Sequence, residues 1–358
     1  MRTNIYYWKC DSPLPAGEKR GYNDKRHLSD ISNLVAEIAT GYFGEEPVSV
    51  RNNRSEGNHY TYLVEYPNRP VLFRGDDEKI DDDYMEAEAA AVELVRKQGV
   101  PAPEIYLTDT TKSRYPFRFQ LIELVPGQAL NALYDDGSLD RSSIGHQLGR
   151  YAGFFHRIRP DGFGFFNTEI LRKEGRVAGL DSTNRGYFRK RLDDHLKYLR
   201  DTEFLTAETI SRIEKLFQKN EHLLDIKQGS LAHKDLAFWN LIGTTDRING
   251  IVDWDDVVIS DPIDDLSIIK CFYDEDVFDA LLEGYSEVSG LPSDFQPKLY
   301  LYLVRNMLWK AVIRIFMGYF KMKGNFFILG RKDGVNLKEV TYQRLFSGIE
   351  KLEAVSGG

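Results

Sequence analysis

Residues 231–266 read LAHKDLAFWNLIGTTDRINGIVDWDDVVISDPIDDL. Two short apolar runs, residues 241–242 and 248–252, flank a polar turn at residues 243–247. That pattern predicts a β-hairpin. Polar groups stand at its ends. Asp235 precedes it, Asn240 enters the first strand, and Asp253 leaves the second, with Asp255 just beyond. A carboxylate, an amide oxygen and a second carboxylate in this order can hold a base and two ligands for a hard divalent cation around one point. Taken singly, Asp235 would be a helix cap or a surface acid. The constellation favours chemistry.

Upstream, residues 1–28 are rich in charge, Pro and Gly and read as an N-terminal extension. Ser29 is placed to cap a helix carrying Ile31, Leu34, Val35 and Ile38, ended by Gly41 or Gly44. Residues 47–51, 60–66 and 70–74 read as strands. The polar loop between the first two contains Ser55, Gly57 and Asn58. It can lay its backbone N–H groups over phosphates, or serve as an ordinary hairpin turn. Residues 83–98 predict an alanine-rich helix stopped by Gly99. An extended, proline-bearing segment follows into a strand at 105–107, and a further strand at 117–125 runs into Pro126-Gly127. The lobe boundary is expected there.

Downstream the chain is mostly helical, at 144–158, within 185–225, at 266–282 and at 299–319, with Gly162-Phe-Gly164 read as a break. The order is therefore an extension (1–28), a β-rich lobe (29–125) and a mostly α lobe (126–358) interrupted by the hairpin. This is an α+β, two-lobed plan with a cleft between the lobes.

Bulk properties narrow the function. The 358 residues suffice for two lobes, and 42% apolar with 28% charged residues is ordinary for a globular protein. The formal net charge of −8 argues against a nucleic-acid surface. Two distant cysteines, Cys10 and Cys271, read as free thiols. With no signal-peptide core and no bilayer-length apolar run, a soluble, cytoplasmic protein without membrane partners is expected.

The hairpin motifs resemble the aminoglycoside phosphotransferase family, which shares the protein-kinase-like fold with choline, homoserine and fructosamine kinases. The resemblance rests on His233-Lys-Asp235 followed by Asn240, on Ile251-Val-Asp253-Trp-Asp255, and on Asp261-Pro262 with Asp265-Leu266. It extends to Leu148-Gly149, His156, Gly162-Phe-Gly164, the hinge 123–127 and the segment 99–103, so it covers roughly residues 51–266. It implies a bilobal protein-kinase-like fold. It implies an ATP- and Mg²⁺-dependent kinase, with GTP as the alternative nucleotide, acting on a hydroxyl of a small molecule. The acceptor classes are an aminoglycoside-type antibiotic, an amino alcohol, a sugar or an amino acid.

Residue by residue, Asp235 would be the base, and Asn240 and Asp253 the metal ligands. Arg74 would reach the α- and β-phosphates, paired to Glu88, with Glu86 as runner-up for the pairing and Lys79 as fallback cation. Ser55, Gly57 and Asn58 would cover the phosphates. The backbones of Glu123 and Val125 would meet the base edge. His233, Asp255, Asp261 and Asp265 would hold the loop, and Trp254 would pack in the core.

The chain departs from the family at Lys234, where glycine is usual. Lys234 could point to solvent or touch the γ-phosphate. For the acceptor, the acids Asp256, Asp264, Asp274, Glu275 and Asp276 would suit a cation, although Asp274 to Asp276 read better as a solvated acidic surface, whereas Arg305 and Arg314 would suit an anion. The aromatic residues Tyr302, Trp309, Phe316, Tyr319 and Phe320 read as core rather than as a cation cage. A non-catalytic nucleotide-binding regulatory module on the same fold is the alternative, motivated by Arg74 and Lys234. A protein kinase is disfavoured, because the chain carries no D-F-G or A-P-E signature.

Overall fold

The computed structural model describes residues 30–53, 59–76, 83–321 and 336–356. The extension, Ser29, the loop residues Ser55, Gly57 and Asn58, and Lys79 lie outside the described residues. The first part folds as α1 (Ser32–Phe43), β1 (Ser49–Asn52), β2 (Tyr60–Glu65), β3 (Pro70–Asp76), α2 (Tyr84–Lys97), β4 (Ile105–Asp109) and β5 (Arg118–Glu123). The five strands form one antiparallel sheet in the order β1-β2-β3-β5-β4.

Alternation explains the sheet. In β2, Tyr62 and Val64 are buried and their neighbours less so. These residues pack with Phe73, Phe119 and Leu121 against Val35, Ile38 and Ala39 of α1. At the start of α1 the Asp30 carboxylate takes the Ser32 N–H at 3.0 Å. Gly44 ends the helix in the left-handed region, φ 73°, with its N–H on the Thr40 carbonyl. α2 faces the other way. Its Ala87, Ala91, Val92 and Val95 belong to the large core shared with the second lobe.

The second part contains β6 (Gln128–Ala129), α3 (Leu130–Asp135), α4 (Arg141–Phe155), β7 (Phe163–Phe166), α5 (Thr168–Glu174), β8 (Gly179–Asp181), α6 (Asn184–Arg189), α7 (Leu192–Asp201) and α8 (Ala207–Lys219). It continues with β9 (Ser230–Ala232), β10 (Leu241–Gly243), β11 (Ile248–Ile251), β12 (Val258–Ser260), α9 (Pro262–Phe272), α10 (Glu275–Ser286), α11 (Phe295–Phe316) and α12 (Leu337–Ser356). The predicted hairpin is β10–β11, with Leu241 opposite Ile251. β6 adds a third strand to it, and β8-β7-β12-β9 form a second small sheet.

One expectation is refined and one corrected. Residues 162–164 do lie beyond the end of α4, but the chain runs on there as a strand, β7 starting at Phe163 and pairing with β8 and β12. Gly164 sits at φ 75°, and a Cβ there would fall 2.3 Å from Asp181 Oδ2, so these glycines permit a close strand approach. Residues 266–282 are not one helix. α9 and α10 part at Tyr273-Asp274, and the Tyr273 hydroxyl takes the Phe238 N–H at 2.6 Å.

α4 and α10 touch backbone to backbone. A Cβ on Gly149 would meet the Leu281 carbonyl oxygen at 1.9 Å and the Tyr285 nitrogen at 2.7 Å. Gly149→Ala is therefore expected to cost about 1–3 kcal/mol, because two helices must part. Urea unfolding reads this as a lower midpoint at constant slope. An unchanged midpoint would mean that the helices yield there freely.

Candidate functional site

The strand β9 delivers the chain to His233 in the floor of the cleft. The loop is pinned from below by Asp265 in the first turn of α9. Its Oδ2 accepts the His233 N–H and its Oδ1 the Lys234 N–H, both at 2.7 Å, and His156 at the end of α4 lies 3.3 Å from Oδ2. Asp261 caps α9, accepting the Ile263 N–H at 2.9 Å. The His233 ring stands 4.5 Å from the Trp254 ring, with Nε2 3.0 Å from the Val252 carbonyl and Nδ1 3.3 Å from the Asp235 N–H. Nε2–H donates and Nδ1 accepts, which is the neutral tautomer. Burial pushes the imidazole pKa down, which agrees with that tautomer.

Lys234 takes neither course open to it in the sequence. It is 3% exposed and its backbone is left-handed, φ 71°, the conformation that glycine adopts without strain. Its ammonium runs into the core, onto Asp264 and, at 2.7 Å, onto Asn306 Oδ1. Trp309 lies 5.1 Å from the same ammonium. Asp264 is thereby consumed and does not face the cleft.

Asp235 is held on both oxygens. Lys310 Nζ of α11 donates to Oδ1 at 2.7 Å, while Trp239 Nε1 and Asn240 Nδ2 donate to Oδ2 at 3.1 and 3.0 Å. Burial alone would raise this carboxyl. The Lys310 charge and hydrogen bond, followed by Trp239, outweigh it and hold the pKa below the usual range. Asn240 also gives its Nδ2 to the Asp235 carbonyl at 2.8 Å, so Oδ1 is the atom it offers outward.

Asp253 leaves β11 with φ 64°, the second non-glycine residue of the site in the left-handed region. Its side chain opens onto the cleft, 43% exposed. Protein encloses it otherwise, and that enclosure, with Asp255 adjacent, pushes its pKa up to about 8 against the pull of Arg74. Such crowded negative charge fits a cation. Asn240 and Asp253 are the residues that could hold one. Among the described residues no group of three or more His, Cys, Asp and Glu is arranged to hold a metal ion.

From the other lobe, Arg74 on β3 pairs with Glu88 on α2, takes Gln120 Oε1 at 2.6 Å and approaches Asp253 Oδ1 at 3.4 Å. Glu88 Oε1 accepts the Trp254 N–H at 3.2 Å. Glu86 is occupied elsewhere, by Arg172 and Thr110. The Glu123 N–H is spent on the Glu104 carbonyl at 2.8 Å, so its carbonyl and the Val125 backbone remain as the edge for a base. A cleft of about 670 Å³ joins Arg74, Glu123 and Val125 to Asp235, Asn240 and Asp253. Asp255, 6% exposed, lines its floor.

The phosphotransferase enzyme family model matches residues 49–297. The chain belongs to this family. Among solved structures, the phosphotransferase is similar to a Thermobifida fusca YX-ER1 protein described as a candidate fructosamine-3-kinase. That match has a TM-score of 0.62 at 18% identity, covering 90% of this chain and 99% of the other. It is similar to the aminoglycoside phosphotransferase APH(4)-Ia bound to AMP-PNP and hygromycin B, with a TM-score of 0.62 at 13% identity and coverage of 90% and 98%. Spectinomycin phosphotransferase APH(9)-Ia, bound to ADP and spectinomycin, gives a TM-score of 0.53 at 13% identity and coverage of 91% and 99%. No curated protein matches by sequence. The fold is the bilobal kinase-like one, and the phosphotransferase is a small-molecule kinase.

On the acceptor side of the phosphotransferase, Asp274, Glu275 and Asp276 are the solvated surface acids expected of them, in ion pairs with Arg344, Lys270 and Arg141. Of the five expected acids only Asp256 lines the cleft. Arg305 also misses it, donating to the Phe188 and Lys190 carbonyls at 2.8 Å. Sequence reading passed over Lys310. A signal existed: Asn306, Lys310 and Arg314 recur every four residues on a helix that is mostly apolar and mostly buried. Among the described residues no helix is long and apolar enough to cross a membrane.

Proposed function

We propose that this phosphotransferase moves the γ-phosphate of ATP to a hydroxyl of a small molecule, with Mg²⁺. The carrying observation is the convergence of Asp235, Asn240 and Asp253 on one cleft, facing the Arg74–Glu88 pair across it. In this reading the Glu123 carbonyl and the Val125 backbone seat the base. Arg74 steers the α- and β-phosphates, and Glu88 fixes its guanidinium. Asn240 and Asp253 hold the cation, which when bound neutralises charge on the β- and γ-phosphates.

Asp235 orients the acceptor hydroxyl and takes its proton as the phosphoryl group transfers. Lys310 and Trp239 aim that carboxylate and keep it ionised. His233, Asp261 and Asp265 position the loop, and Asp255 adds negative charge beside Asp253. Because Lys234 is turned into the core, it takes no part at the phosphates and does not speak for a non-catalytic module. Amino alcohols, sugars, amino acids and aminoglycosides remain the acceptor classes to test.

An acceptor-dependent ADP-release assay with and without Mg²⁺ tests the reading. Release that requires both acceptor and metal supports it. Nucleotide binding without release on any acceptor would leave only the binding module.

A further inference from the structure

The acceptor half of the cleft contains a buried cation for which no paired counter-ion stands among the described residues. Arg314 is 3% exposed and lines the cleft. Its Nη1 donates to Thr341 Oγ1 at 2.6 Å, and its guanidinium lies 5.9 Å from the Phe272 ring. Among the described residues no carboxylate pairs with it. Burial presses its pKa down to about 10, and the opposing pull of Cys271 and Asp235 does not offset it.

Lys310 stands one helical turn away on the same face of α11, 5.1 Å from the same Phe272 ring, and donates to Asp235, whose charge also acts on Arg314. Among the described residues, two cations thus draw on an acid that the transfer reading gives to catalysis. A buried charge left unpaired is costly, and proteins retain one where a ligand completes the pair.

Resting on the transfer reading above, we infer that the acceptor carries an anionic group, a carboxylate or a phosphate, which seats on Arg314 and Lys310 and brings the acceptor hydroxyl to Asp235. Arg314 supplies the planar, two-pronged donor that such groups match. Phe272 and Ile313 give the apolar wall beside it. A polycationic acceptor would instead meet two like charges at this end of the cleft.

The test is an ADP-release panel with Mg²⁺ and ATP. One arm holds hydroxycarboxylates with their amides, a second sugar phosphates with their free sugars, and a third aminoglycosides and amino alcohols. One anionic arm is expected to exceed its uncharged counterparts at least about 10-fold in kcat/KM, and which arm does so separates carboxylate from phosphate. Arg314→Met should raise KM for that anionic acceptor about 10- to 100-fold, with a smaller change in kcat, and Arg314→Lys should recover part of the loss. Preference for the uncharged or cationic members overturns the inference and leaves the kinase reading intact. So does an Arg314→Met defect equal for all acceptors. If no member releases ADP, the transfer reading falls, and melting judges the anion site alone. Hydroxycarboxylates or sugar phosphates that raise Tm of the wild type and not of Arg314→Met sustain it, and no such shift removes it.

Discussion

Asp235→Asn lowers kcat by about 10²- to 10⁴-fold, the range for loss of a positioned general base. Nucleotide binding persists, because Arg74, Glu88 and the 123–125 edge lie on the other side of the cleft. The amide is nearly isosteric with the carboxylate but supplies one acceptor where Lys310 and the Trp239–Asn240 pair need two, so the defect combines loss of the base with a local loss of hydrogen bonds. Titration of ATP with Mg²⁺, beside single-turnover rates, separates the two effects. A variant that turned over at the wild-type rate would remove Asp235 from the mechanism. Lys310→Met probes the same carboxylate differently. Burial is the largest influence on Asp235 and pushes its pKa up, and Lys310 is the largest influence against it. With Lys310 gone burial prevails, so the acid limb of the kcat–pH profile moves to higher pH. An unmoved limb would show that Trp239 and Asn240 suffice.

Asp265→Ala costs about 3–5 kcal/mol of stability. The carboxylate is fully buried and satisfies two backbone N–H groups together with His156. Removing it strands all three donors, and each stranded backbone donor alone costs about 1–3 kcal/mol. The pH dependence has a definite sign. Burial raises the Asp265 pKa, but His156, by hydrogen bond and charge, and then the loop hold it below the ordinary value. A carboxyl with a lowered folded pKa stabilises the fold above its unfolded pKa of about 3.9, and loses that contribution as pH falls through the folded value. The gap between wild type and Asp265→Ala should therefore be full near neutrality and narrow in acid. Urea unfolding at a series of pH values measures it, and a gap independent of pH would contradict the ionised role.

Much of this was legible in the sequence for local reasons. β2 announces itself by alternation, β3 by an apolar run after the turn at 67–68, α2 by its alanines and Gly99, and the hairpin by a polar turn between apolar runs. What escaped depended on distant partners. β6 is two residues long and exists because β10 pairs with it. β7 was hidden by glycines whose left-handed backbone reads locally as a stop. α12 was passed over although its buried residues, Leu337, Thr341, Leu345, Ile349 and Leu352, recur at helical spacing.

The site divides in the same way. Asp235, Asn240 and Asp253 are separated by few residues and carry their own spacing. Lys310 meets Asp235 across 75 positions, and Arg314 meets Thr341 across 27. Lys234 could not be placed either, because its destination, Asp264 and Asn306, lies on two other helices.

The division between the lobes looks different when the hairpin's attachments are followed. β6 makes the linker a strand of the hairpin, and Asn249 Nδ2 ties it again to the Pro126 carbonyl at 2.8 Å. The Ile251 N–H reaches the Pro101 carbonyl at 2.7 Å, and α2 inserts its apolar face into the large core. Mechanically, α2 and the turn after it are part of the base, although the chain orders them with the sheet. What remains apart is the five-stranded sheet with α1, whose apolar side chains form a core of their own. Arg74 on β3 and Glu88 on α2 pair where that unit meets the base, so the ion pair that would steer phosphate also ties the sheet to the base.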